Sequence, residues 1–142
     1  MVKRAGFSLV EILIAISIMV LLGTVVGIAL NDLPTKGRCD AAKLQVDAFK
    51  TAIQLYIADN GLAPTQKQGL EALVAKPTEA PVPTNYKPGG YLDSREVPLD
   101  PWGNDYAYLV PGSNGEPFEI ICYGADGDVG GEGYDADISS TK

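Results

Sequence analysis

The feature that most constrains the fold of this chain is an apolar run near its N-terminus. Nineteen consecutive residues from Ile12 to Leu30 carry no charge, and Ile, Leu, Val, Ala and Met dominate among them. With a rise of about 1.5 Å per residue, a helix of this length approaches the roughly 30 Å thickness of a bilayer core. The run therefore predicts a membrane-spanning helix.

A cleaved secretory signal peptide is the alternative interpretation of this run. Gly27-Ile28-Ala29 offers a loose small-x-small cleavage site. The run, however, exceeds the roughly 7 to 15 apolar residues of a usual signal core. Glu11 also lies inside the front end of the longer apolar stretch that begins at Phe7, and a lone carboxylate is costly there unless it finds a partner.

Cleavage of the chain after Gly6 would create a partner for Glu11. The nearest bases, Lys3 and Arg4, lie more than one helical turn before it. A new α-amino group on Phe7 would lie four residues before Glu11 and could pair with the carboxylate of the same chain or of a neighbour. Pairing with a neighbour would drive self-assembly within the membrane.

The stretch KRAGFSLVEILIAISIMVLLG resembles the leader and N-terminus of type IV prepilins and pseudopilins. The resemblance implies a leader at residues 1–6, which the prepilin peptidase removes by cutting between Gly6 and Phe7. It further implies methylation of the new amino group on Phe7 and a role for Glu11 in setting each subunit in register with the previous one. The transmembrane and assembly helix is then expected at residues 7–30.

The basic residues before the apolar run predict the orientation of the chain. Lys3 and Arg4 would stay in the cytoplasm, which places residues 31–142 outside as a periplasmic globular head.

The net charge of -7 and the pI near 4.4 argue against nucleic-acid binding, which needs a basic face. Without histidine, His-based catalysis is excluded, and two cysteines cannot build a four-ligand zinc site. Whether Cys39 and Cys122 form a disulfide stays open.

The head is predicted to be α+β. Apolar spacing from Asp40 to Asn60 predicts a helix with two adjacent stripes, Leu44, Ala48, Ala52 and Leu55 beside Val46, Phe49, Ile53 and Tyr56. Thr65 and Gln68 form a capping-box pattern. Eight of the ten prolines lie between residues 77 and 117 and predict a long loop, which four aromatic residues suggest is ordered: Tyr86, Tyr91, Trp102 and Tyr106. Alternating apolar residues at 106–110 and 118–122 predict a β-hairpin.

Three further stretches, GLEALVAKP, GGYL and DPWGNDY, resemble the type II secretion pseudopilins of the general secretion pathway protein G family. The resemblance implies a type IV pilin-like fold and a non-enzymatic subunit that polymerises into a periplasmic filament anchored in the inner membrane. Such a filament drives export of folded proteins across the outer membrane. The implied partners are other copies of the chain, minor pseudopilins, the inner-membrane assembly platform and the prepilin peptidase.

Two other functions are compatible with parts of the sequence. A type IV pilus subunit for adhesion or motility would share the N-terminus, although many such pilins close their C-terminal segment with a cysteine pair that is missing here. An enzyme or a calcium-dependent binding domain held by a signal anchor is the third hypothesis. The sequence shows no nucleophile with a base and no phosphate-binding loop.

The C-terminal stretch GADGDVGGEGYDADI holds five acids, five glycines and no base. Calcium takes roughly six to eight oxygens from carboxylates and carbonyls, and glycines let a backbone bend its carbonyls inward. An EF-hand is excluded because Gly130 occupies its fifth position and no helix signal follows. A nonapeptide β-helix is excluded because only one repeat is present. A solvated acidic tail is the alternative, and magnesium fits the donor set less well.

The family resemblance assigns calcium ligands within this stretch. It implies the carboxylates of Asp126, Asp135 and Asp137, together with the backbone carbonyls of Tyr123 and Asp128. The penultimate ligand is Asp135 or a neighbour, because the loop is about two residues longer than the family pattern.

Overall fold

The computed structural model describes residues 9–142, apart from the side chains of residues 20–34. One long α-helix is followed by a short 3-10 helix and three short strands: α1 (Leu9–Asn60), η1 (Leu70–Leu73), β1 (Ala107–Leu109), β2 (Glu119–Cys122) and β3 (Ile138–Ser139). The chain divides into two compact units, with the division between Lys36 and Gly37. The predicted leader, residues 1–6, lies outside the described residues.

The predicted membrane segment, residues 7–30, lies only partly within the description. Residues 9–19 are helical and their side chains are described. Residues 7 and 8, and the side chains of residues 20–30, lie outside the described part of the chain. Among the side chains that are described, no helix is sufficiently long and apolar to cross a membrane.

The end of α1 is where the sequence predicts it. Gly61 has a φ of 83°, and its N–H donates to the carbonyl of Ile57 at 2.7 Å. This bond satisfies one of the carbonyl groups that the last helical turn leaves without a partner. The predicted helix from Asp40 to Asn60 is therefore confirmed as the C-terminal part of α1.

In the second unit, α1 packs on a three-stranded antiparallel sheet of order β1-β2-β3. Tyr108 pairs with Ile120 in the predicted hairpin, and Cys122 pairs with Ile138 in the strand that follows the acidic stretch. The Phe49 ring meets the Tyr106 ring edge-on, with centroids 5.0 Å apart. The helix contributes the largest share of the buried core: Ala42, Val46, Phe49, Ala52, Ile53 and Tyr56. The predicted α+β architecture is confirmed.

Three residues of the predicted apolar stripes are not in this core. Leu44 is 71 % exposed, Leu55 is 49 % exposed and Ala48 is exposed as well, so their assignment to a buried stripe was wrong. A small sheet covers only one face of a helix. The stripe centred on Phe49 and Ile53 faces the sheet, and of the neighbouring stripe only Ala52 is buried with it.

The long loop between α1 and the sheet is ordered by side-chain contacts. Thr65 and Gln68 form the predicted capping box, with reciprocal hydrogen bonds of 3.0 and 3.2 Å, although it starts a turn followed by η1 and not an α-helix. Tyr91 packs against Tyr86 and Tyr56, with both pairs of ring centroids 5.3 Å apart. Trp102 packs on the core, as expected of a structural anchor.

A buried carboxylate joins the hairpin to the C-terminal segment. Glu119 is 4 % exposed, and it accepts hydrogen bonds from the Ser113 backbone N–H (2.8 Å), the Ser139 hydroxyl (2.6 Å) and the Thr141 hydroxyl (3.3 Å). The bonds from Ser113, Ser139 and Thr141 lower the pKa of Glu119 from 4.5 to about 2. A buried charge is tolerated only when it is hydrogen-bonded in this way.

Glu119 should make the stability of the head dependent on acid pH. Because its folded pKa lies below its unfolded pKa, its contribution is present above about pH 4.5 and is lost as the pH falls toward about 2. We expect the wild type to lose about 2 kcal/mol from this group between pH 7 and pH 3. Urea unfolding of the wild type and of Glu119→Gln at both pH values measures it. An equal loss in both proteins would contradict the assignment.

Candidate functional site

The acidic stretch is a loop that the sheet holds at both ends. It leaves β2 after Cys122 and returns to the sheet at Ile138, and these two residues are paired directly. Three backbone hydrogen bonds fold the loop on itself: Ala125 to Tyr134 (3.1 Å), Asp135 to Glu132 (3.2 Å) and Asp137 to Gly130 (3.2 Å). The loop is therefore closed at both ends by the sheet and is not a free tail, although residues 128–135 are exposed.

Two glycines allow the limbs of this loop to approach each other. Gly124 has a φ of 66°, and a Cβ placed on it would lie 2.5 Å from the backbone carbonyl oxygen of Asp135. A Cβ on Gly131, with a φ of 79°, would collide with the same carbonyl. Glycine is required at both positions because positive φ and close backbone contact exclude a side chain.

Substitution of Gly124 should disrupt the loop. Gly124→Ala combines an unfavourable φ with a collision against backbone, and we expect it to destabilise the head by about 2 kcal/mol or more. Gly133→Ala is the matched control, because Gly133 has a φ of 65° but open space where the Cβ would lie. Thermal unfolding of both variants tests the contact with Asp135. Equal losses of stability would show that only the backbone angle matters.

The predicted ligands occupy different environments. Asp137 accepts a hydrogen bond from the Gly130 N–H through Oδ2 (3.0 Å), while its Oδ1 is buried and has no hydrogen-bond partner. Asp126 accepts from the Asp128 N–H (3.1 Å). The side chains of Asp126, Asp128 and Asp135 are exposed, and Tyr123 is half-buried.

The fit of this loop to a cation is partial. The buried and unpartnered Oδ1 of Asp137 is an oxygen that a hard cation would satisfy. Within the part of the chain that the structure describes, no three His, Cys, Asp or Glu side chains are gathered to hold a metal ion. A calcium site here would therefore rely on backbone carbonyls as well as carboxylates, and the predicted ligand set stays a prediction.

A turn at residues 100–104 lies against this loop, and the sequence did not predict this contact. Asp100 is 5 % exposed, and its Oδ1 accepts from the N–H groups of Trp102 (2.9 Å) and Asn104 (2.8 Å). The Asn104 side chain lies beside Gly127, where a Cβ would come within 3.3 Å of it. The Asp-Pro-Trp-Gly pattern could have indicated the turn, but nothing in the sequence indicates its long-range contact.

The two cysteines are free thiols, Cys122 buried and Cys39 half-buried. Burial raises the pKa of Cys122 to about 11. Cys122 therefore stays protonated at neutral pH, and its Sγ donates to Asp100 Oδ2 at 3.4 Å.

The predicted assembly residue, Glu11, lies in the first turn of α1 and is exposed. The processing residues Gly6 and Phe7 lie outside the described residues. Around Glu11, large apolar side chains between residues 9 and 19 are 51 % to 75 % exposed. The described N-terminal part of α1 thus presents a lone carboxylate within an uncovered apolar surface.

Comparison with known proteins gives two family matches that together span most of the chain. Residues 30–141 match the type II secretion system protein G family, and residues 1–29 match the prokaryotic N-terminal methylation motif. The chain is 41 % identical to type II secretion system core protein G of Pseudomonas aeruginosa, over 97 % of this chain and 95 % of the relative. It is 44 % identical to the Vibrio cholerae protein of the same name, over 97 % and 92 %.

A solved structure agrees with these matches. The crystal structure of the major pseudopilin from the type 2 secretion system of enterohaemorrhagic Escherichia coli is similar with a TM-score of 0.65 and 37 % identity. The similarity covers 78 % of this chain and 92 % of that one.

Proposed function

The chain belongs to the type II secretion system protein G family, and from this membership we propose how its parts act in a pseudopilus. The protein is a structural subunit of the pseudopilus and not an enzyme, as the family names indicate. Both predictions are confirmed, and the alternative of a type IV pilus subunit is not favoured. As a pseudopilin with an N-terminal methylation motif, it is membrane-anchored and periplasmic in general terms.

The exposed apolar surface of residues 9–19 is the structural observation that supports assembly. Seven large aliphatic side chains and Met19 lie on this helical segment, each at least half exposed. A continuous apolar surface of this kind is unfavourable in water and is stabilised by lipid or by other apolar helices. Mature chains would therefore pack their N-terminal helices side by side, first in the bilayer and then along a filament.

The processing and location of the chain follow from the same proposal. The prepilin peptidase would cut between Gly6 and Phe7 and methylate the amino group of Phe7. Residues 7–30 would cross the inner membrane once and leave the head in the periplasm. The assembly platform of the inner membrane would add subunits, minor pseudopilins would join the filament, and its growth would drive folded proteins across the outer membrane.

Calcium is proposed to stabilise the C-terminal loop, with Asp126, Asp135 and Asp137 and the carbonyls of Tyr123 and Asp128 as ligands. The unpartnered Oδ1 of Asp137 supports a cation there. When bound, the ion would neutralise carboxylate charge and join the two limbs of the loop.

Net charge gives a second reason for a cation in each head. Residues 31–142 carry 9 basic and 17 acidic side chains, so the side-chain charge of the head is -8. Packed heads therefore repel one another, and a divalent ion in each would reduce that repulsion.

Asp126→Ala should reproduce the effects of removing calcium from the wild type. We expect its melting temperature to respond little to calcium and secretion to fall, because the loop loses a charged ligand. Glu132→Ala is the matched control, since Glu132 is an exposed acid of the same loop outside the predicted ligand set. Differential scanning fluorimetry and a secretion assay measure both effects. Wild-type secretion by Asp126→Ala would show that the ion is dispensable.

The function as a whole is tested by deleting the gene and imaging the cells. Deletion should retain folded exoproteins in the periplasm, and expression of the chain should restore their release. If deletion instead removes long surface fibres that cells make at native expression and leaves secretion intact, a type IV pilus subunit is favoured.

A further inference from the structure

The last residues of the chain are held by side chains from two distant elements. We call residues 139–141 the C-terminal clasp. Glu119 accepts the Ser139 and Thr141 hydroxyls, and the Lys50 ammonium of α1 donates to the Ser140 carbonyl at 2.7 Å. Ser140 also exchanges two bonds with Ile120, through its N–H to the Ile120 carbonyl (2.9 Å) and through its Oγ from the Ile120 N–H (3.0 Å).

The carboxylate at the centre of the clasp is unusual for its environment. Glu119 is nearly fully buried, and none of the ion pairs that the described residues form includes it. Burying an unpaired charge is costly, so its bonds to hydroxyl and N–H groups must be well formed. The position of Ser139 is therefore strongly determined by Glu119.

The clasp lies immediately after the predicted ligand Asp137. Strand β3 has only two residues, Ile138 and Ser139, and so few ladder bonds are available to fix its position. Asp137 in turn holds the opposite limb of the loop through Gly130, with bonds in both directions (3.0 and 3.2 Å). Glu119 thus holds Ser139 by a hydrogen bond, and Ser139 lies two residues along the backbone from Asp137, whose Oδ1 has no partner.

We propose that Glu119 is a positioning residue for the cation loop, which through Ser139 fixes the Asp137 carboxylate where a calcium ion takes it. This inference rests on the proposed calcium function. It assigns calcium affinity partly to residues that never touch the ion, in the hairpin and at the C-terminus. A merely structural role for Glu119 would lower the melting temperature equally with and without calcium and leave the affinity of the folded protein unchanged.

The test measures calcium affinity of the mature full-length chain in detergent by isothermal titration calorimetry, well below the melting temperature. Ser139→Ala removes the hydroxyl without changing charge, and we expect it to weaken calcium binding at least fivefold, with Ser139→Thr restoring it. Glu119→Gln should weaken binding at least tenfold. Glu79→Gln is the matched control, because it removes the same charge from an exposed residue that pairs with Lys67 at 2.8 Å.

The outcomes separate the two proposals. Wild-type affinity in folded Ser139→Ala and Glu119→Gln would overturn the positioning role while leaving the calcium site intact. If Glu119→Gln fails to fold, Ser139→Ala decides alone. Equal weakening in Glu79→Gln and Glu119→Gln would reduce the effect to charge and would also overturn the role. Absence of calcium binding to the wild type would instead refute the calcium function and this inference with it.

Discussion

Glu11→Ala should insert into the membrane and be processed as the wild type is, yet fail to form filaments. A carboxylate in an apolar segment opposes insertion by a few kcal/mol, so its removal leaves insertion unchanged or improved. In the proposed filament, assembly would lose the partner of the Phe7 amino group on the neighbouring subunit. We expect filament yield to fall at least tenfold.

Because insertion should be unchanged or improved while filament yield falls, the experiment separates a defect in assembly from a defect in insertion. Membrane fractionation reports insertion, intact mass reports cleavage, and shearing followed by immunoblotting reports filaments. Glu71→Ala is a matched control, since it removes an exposed acid from η1 in the head. Filaments at wild-type yield from Glu11→Ala would show that Glu11 does not set the register.

Removal of calcium should lower the melting temperature of the mature chain in detergent by about 10 °C. At a calcium concentration of about 100 times Kd, binding contributes about 2.7 kcal/mol to the folded state. In a domain of roughly 100 residues each kcal/mol shifts the melting temperature by about 4 to 8 °C. The loop sequence carries five acids and no base, so loss of the ion also leaves their mutual repulsion without compensation.

Chelation by EGTA followed by stepwise addition of calcium measures this shift. Calcium should restore the melting temperature at concentrations where magnesium does not, because magnesium prefers fewer protein ligands in octahedral geometry. A melting curve that EGTA leaves unchanged would count against the site. A shift of equal size in Asp126→Ala would place the ion elsewhere.

Regular local patterns allowed the sequence to predict much of the fold. The helix end at Asn60, the capping box at Thr65 and the hairpin each depend on residues close together in the chain. Strand β3 was not predicted, because Ile138 and Ser139 are too few to show alternation. They become a strand only by pairing with β2.

The buried Glu119 shows why parts of the site were also missed. In the alternation of Phe118, Ile120 and Cys122 it takes a position typical of the solvent-facing side of a strand. It is buried because the C-terminal segment returns over it, a contact between residues about twenty positions apart. Long-range contacts of this kind leave no local pattern, and the same is true of Asn104 beside Gly127.

The most direct test of a processed, filament-forming pseudopilin is the intact mass of the protein recovered from purified filaments. We expect chains that begin at Phe7 with one added methyl group and that form the main component of the filaments. Chains that retain residues 1–6, or filaments in which this protein is absent, would contradict it.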